Sequence, residues 1–67
     1  MRTRLREFRE ARAMSQGDLA RKAGFHLMTI ARLEAGYGQP NRQALGKLAA
    51  ALGVTVEQLL GPEAPAS

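Results

Sequence analysis

Residues Ser15 to Gly36 read SQGDLARKAGFHLMTIARLEAG, and this stretch decides the fold. Ser15 followed three residues later by Asp18 is a capping-box-like helix start, with a hydroxyl placed to accept a first-turn N–H. Leu19, Ala20 and Ala23 then fall on one face at helical spacing. Gly24 stands where that helix has to stop, a position that often demands positive φ. After Phe25 and His26 the spacing predicts a second helix over Leu27–Ala35, with Ile30 and Leu33 facing inward and Gly36 at its end. His26 occupies a cap position where serine or threonine is usual. Small residues at Ala20 and Ala23 let the two helices approach closely. Two short helices at a steep angle across so tight a turn form a helix-turn-helix. An ordinary αα-corner in a small bundle fits the same stretch.

Upstream, TRLREFREARAM places Leu5, Phe8 and Ala11 or Arg12 on one stripe, with Thr3 as a candidate cap. Arg9 lies one residue off that stripe. Glu7 followed by Ala11, and Glu10 by Met14, give no systematic i,i+4 ion pairing. Ala13 and Met14 read as the helix exit, with Met14 a flexible plug into the core. Downstream, YGQPNR is a loop, and Pro40 disfavours helix at Gln39. Asn41 is a good N-cap for a helix from Arg42, in which Leu45, Leu48, Ala49 and Leu52 make a core-facing stripe. Gly46 interrupts its interior, for which close approach by another element is one reading. Gly53 ends this helix, and Thr55 with Gln58 forms a second capping box before a short helix bearing Val56, Leu59 and Leu60. The expectation is one all-α domain over residues 1–60 and a frayed, flexible tail over 61–67, GPEAPAS.

The 67 residues are 45% hydrophobic but only 4% aromatic, which predicts a folded domain with an aliphatic, alanine-rich core. The sequence contains no cysteine, so neither disulfides nor thiolate zinc staples it. No apolar run reaches the ~20 residues of a membrane span, and no apolar segment follows the N-terminal arginines. The expected setting is soluble and cytoplasmic. The net charge of +4 is unevenly spread. All ten lysines and arginines lie at or before Lys47 with four acids, a net +6, whereas residues 48–67 carry −2. A basic front and an acidic rear orient a molecule towards a polyanion. With one histidine and no acid pair placed beside it, nothing assembles an active site, so no catalysis, metal or cofactor is expected.

Five short helices with LREFR, MSQGDLARKAG, TIARLEAG, Pro40 and LGKLAAALGVTVEQLL in that order resemble the phage repressor and Cro family, often called Xre-like. The resemblance spans about residues 4–60 and implies a five-helix lambda-repressor-like DNA-binding domain. It implies that Gln16, at the start of the second helix, contacts DNA. The third helix would read the major groove with Leu27, Met28, Ala31 and Arg32 facing outward. Arg32 suits guanine, Thr29 a backbone N–H or a phosphate, and Tyr37, Asn41 and Arg42 the phosphate backbone. The positions of Leu27 and Met28 are often polar in the family's DNA binders. Here they suit thymine methyl groups or, alternatively, a protein surface. The family pattern also implies a structural ion pair between Arg9 and Glu34. The implied function is a sequence-specific transcription regulator, a repressor, acting as a homodimer on a two-fold related double-stranded operator. Leu59, Leu60 and the tail are the expected dimer surface, with burial of the same leucines in the core as the alternative. An antitoxin with a toxin partner, a restriction-modification controller and a protein-interaction module without DNA binding are the alternatives.

Overall fold

The caps lay out the chain. The computed structural model describes residues 4–60, which form α1 (Leu5–Ala11), α2 (Gln16–Ala23), α3 (Leu27–Ala35), α4 (Arg42–Leu52) and α5 (Val56–Leu60). Ser15 opens α2 with a complete capping box: its hydroxyl accepts from the Asp18 N–H at 3.0 Å, and its own N–H donates to the Asp18 carboxylate at 2.9 Å. These bonds, the backbone one foremost, hold the Asp18 carboxyl below its ordinary pKa. Asn41 Oδ1 caps α4 at Ala44 N, 2.7 Å away, and Thr55 and Gln58 cap α5 reciprocally. Gly24 closes α2 at φ +83, a left-handed conformation that would strain any side chain, and so lets the chain turn at once into α3.

Thr3 lies outside the described residues, and Arg4, the residue at the start of α1, makes no side-chain cap bond. Ion pairing runs the other way along the helix: arginine precedes glutamate, in Arg4–Glu7 at 2.9 Å and Arg6–Glu10 at 3.0 Å. Both pairs are exposed and contribute little. The α1 exit is a Schellman turn, with Ala13 N donating to Glu10 O and Met14 N to Arg9 O. Ala13 takes the left-handed position at φ +55, normally a glycine's.

Every helix contributes to one aliphatic core. Leu5, Leu19, Ile30, Leu48, Leu52 and Leu59 are each less than 2% exposed, and Ala20, Ala23, Ala49 and Ala51 fill the close approaches. Phe8 covers the rim with its ring between the guanidinium groups of Arg4 and Arg12, at 5.2 and 5.6 Å. The Arg4 N–H donates to Leu59 O at 2.8 Å and ties the start of α1 to α5. Leu59 therefore belongs to the core that α5 closes, the second of the two places the sequence allowed it, and not to an association surface. A correction concerns α1: Arg9, not Ala11 or Arg12, is the buried neighbour of Leu5, while Ala11 and Arg12 are exposed.

Gly46 has no packing reason. A Cβ built there meets nothing within 4 Å, so the close-approach reading does not hold. Gly46→Ala is expected to raise stability by about 0.5–1 kcal/mol through helix propensity and unfolded-state entropy. Ala13→Gly, which removes the left-handed strain, is expected to be neutral or stabilising by up to ~1 kcal/mol. Urea midpoints at constant slope check both; a lowered midpoint for Gly46→Ala contradicts the assignment.

Candidate nucleic-acid interface

Two capped helix starts and one neutralised acid define the site. At the N-terminus of α3, His26 Nδ1 accepts the Met28 N–H at 3.1 Å, taking the part a serine usually plays. A ring nitrogen that accepts carries no hydrogen, so in the neutral ring the hydrogen sits on Nε2. From this anchored start Leu27 and Met28 stand 47% and 53% exposed, while Ile30 is completely buried. Arg32 is exposed, and Thr29, Ala31 and Leu33 are half-buried. Beyond Gly36, which closes α3 at φ +91, Tyr37 is 70% exposed.

The predicted residues fall into three groups. Thr29, Arg32 and Tyr37 share a shallow cleft with Leu33, Gly38 and Gln39. Gln16 lies in another with Arg6, Arg9, Ala31 and Glu34. Arg42, at the first position of α4, borders a third with Leu45, Val56, Glu57 and Leu60. Asn41 Oδ1 accepts the Ala44 N–H, while its exposed amide nitrogen keeps both hydrogens for another partner.

Arg9 and Glu34 face each other across α1 and α3. Arg9 Nε donates to Glu34 Oε2 at 2.6 Å and Nη2 to Oε1 at 2.9 Å, and the two side chains are 11% and 5% exposed. The remaining terminal nitrogen, Nη1, donates to Met14 O at 2.8 Å, fastening the Ala13 turn as well. Gln16 Nε2 also reaches Glu34 Oε1, at 3.1 Å. Burial pushes the Glu34 carboxyl up, but hydrogen bonds from Arg9 and Gln16 and the charges of Arg9 and Arg6 outweigh it and leave its pKa lowered. The Glu34 hydrogen bond, followed by the opposing effect of burial, leads the influences that raise the Arg9 pKa and keep it charged. Sequence reasoning missed Arg6 and the Gln16–Glu34 bond. No local pattern signals either, because both depend on how α1 and α2 dock on α3.

The architecture is that of a lambda-repressor-like helix-turn-helix DNA-binding domain, with α2 and α3 as the motif. Residues 5–59 match the helix-turn-helix family, and the chain belongs to it. A relative described as an uncharacterized HTH-type transcriptional regulator of Archaeoglobus fulgidus is 41% identical over 59 residues, covering 88% of this chain and 84% of the relative. Among solved structures, a chain of a SinR protein/SinI protein complex superposes with a TM-score of 0.84 at 31% identity. The match covers 91% of this chain but only 60% of that one, so this chain spans less than two thirds of its length. The family is one of DNA-binding transcription regulators. No described helix is long and apolar enough to cross a membrane.

Breaking the Arg9–Glu34 pair leaves one buried charge without its partner. Arg9→Ala and Glu34→Ala are each expected to cost more than the ~0–1 kcal/mol of an exposed pair, and the double mutant less than the sum. Because the folded pKa of Glu34 is depressed, its contribution is complete above the ordinary carboxyl pKa and is lost as pH falls through the lower folded value. Urea unfolding at neutral pH and at about pH 3 checks this, since an ordinary glutamate titrates near 4.3. Zero coupling, or an unchanged acid dependence in Glu34→Gln, contradicts it.

Proposed function

We propose that the domain is a sequence-specific transcription repressor that places α3 in the major groove of a double-stranded operator. The observation that carries this reading is the charge on α3. Its only acid, Glu34, is turned inward against Arg9, so the exposed face of Leu27, Met28 and Arg32 presents no carboxylate to the phosphates. Arg32 is the one side chain on that face with the fork for guanine O6 and N7. Leu27 and Met28 supply shape and methyl contacts to thymine. Gln16, Thr29, Tyr37, Asn41 and Arg42 flank them as phosphate or base-edge contacts, and the N-termini of α2 and α4 favour anions.

One domain makes few base contacts, so the working form is a homodimer on two related half-sites, in the cytoplasm. The apolar groove lined by Leu45, Val56 and Leu60 suits that association, since an isologous contact can set the same patch of each copy against the other. The exposed Leu27 and Met28 also favour a second reading, a protein-interaction module on the same fold.

Affinity for duplex DNA is expected to fall steeply with salt, with a slope of about −0.9 per phosphate contact. Arg32→Ala should cost about 1–3 kcal/mol on the preferred duplex and relax preference at one base pair per half-site. Arg42→Ala should weaken all duplexes alike. Fluorescence anisotropy against the preferred duplex and its single-base variants measures both. Absent or salt-independent binding favours the protein-interaction reading, and equal loss on every duplex for Arg32→Ala makes Arg32 a phosphate clamp.

A further inference from the structure

The Glu34 carboxylate gathers three donors from two other helices: Arg9 Nε and Nη2 from α1 and Gln16 Nε2 from α2. Arg9 accounts for the charge balance. The Gln16 bond adds nothing to that balance, yet it fixes the one flexible polar side chain at the start of α2. Gln16 sits half-buried on the rim of the cleft beside Ala31, on the flank of the proposed reading helix. Its amide nitrogen is turned inward. Among the described residues its carbonyl oxygen has no partner and no buried side-chain oxygen or nitrogen lacks one, so that oxygen reaches solvent. A free glutamine samples many rotamers and either amide orientation, and immobilising one costs conformational entropy.

We propose that Glu34 is a positioning residue for Gln16, holding its amide in the orientation that meets DNA. The proposal rests on the reading that Gln16 contacts the duplex. With one amide hydrogen committed to Glu34, the amide cannot turn end over end, and the carbonyl oxygen and the second hydrogen are what the duplex meets. Ordering is then complete before binding, which is how a supporting contact raises affinity without touching the ligand. Glu34 thus acts on two properties by separate routes: stability through Arg9 and affinity through Gln16.

A double-mutant cycle on DNA affinity separates these routes. Glu34→Gln and Gln16→Ala are combined, and dissociation constants are measured by anisotropy under conditions where circular dichroism shows each protein fully folded. Each single change is expected to weaken binding about three- to tenfold, the size of one hydrogen bond. In the Gln16→Ala background, Glu34→Gln should add less than about twofold, since its route is already gone. An undiminished effect of Glu34→Gln in that background overturns the positioning role and leaves the Gln16 contact standing. A Gln16→Ala protein that binds as the parent does overturns both. Should Glu34→Gln fail to fold, hydrogen exchange of side-chain amides by NMR on the unaltered protein decides. Gln16 is expected to exchange several-fold more slowly than the exposed Gln43, and equal rates overturn the proposal.

Discussion

The two-pronged pair between Arg9 and Glu34 is the constraint on which the rest depends. Glu34 stands near the end of α3, and an unpaired carboxylate there would repel phosphate and weaken any approach to DNA. Arg9 removes that charge with two bonds of 2.6 and 2.9 Å and uses its remaining terminal nitrogen on Met14 O. One guanidinium therefore fixes α1 to α3 and closes the turn that leads into α2. A buried pair of this kind is weak as a source of stability against an apolar substitute, but severe when half of it is removed. Its value here is orientation: the helix with the exposed outer face is held at a defined angle to its supports.

The helix ends were legible because caps are local. Ser15, Asn41 and Thr55 each satisfy an N–H within three residues, and Gly24 and Gly36 mark stops that side chains resist. The leucine stripe of α4 was legible for the same reason. Arg9 was harder, because an apolar-periodicity reading passes over a cation even where it occupies a buried place beside Leu5. Ala13 hid a left-handed turn, since alanine carries none of the signal that glycine does. Leu59 and Leu60 look alike in sequence, yet only packing tells the fully buried one from the groove-lining one. The Gln16–Glu34 bond joins residues 18 positions apart and has no periodic signature.

The outer face of α3 departs from a purely polar reading surface. Leu27 and Met28 are half exposed at its first turn, where the backbone is anchored by His26. Apolar side chains in a groove discriminate through shape and methyl contact, so on the proposed reading hydrogen-bonded discrimination would fall to Arg32 and Gln16. Such a domain would gain most of its binding energy from phosphates and a modest share from bases. Pairing two half-sites would be the physical remedy, and the proposed homodimer would place weight on the groove between α4 and α5.

The central claim, that α3 reads a defined DNA sequence, is tested most directly by selection of bound duplexes from a random pool followed by sequencing. The account predicts enrichment of a two-fold related sequence with half-sites about one helical turn apart, carrying a guanine in each half-site. A pool that stays random after repeated rounds contradicts it.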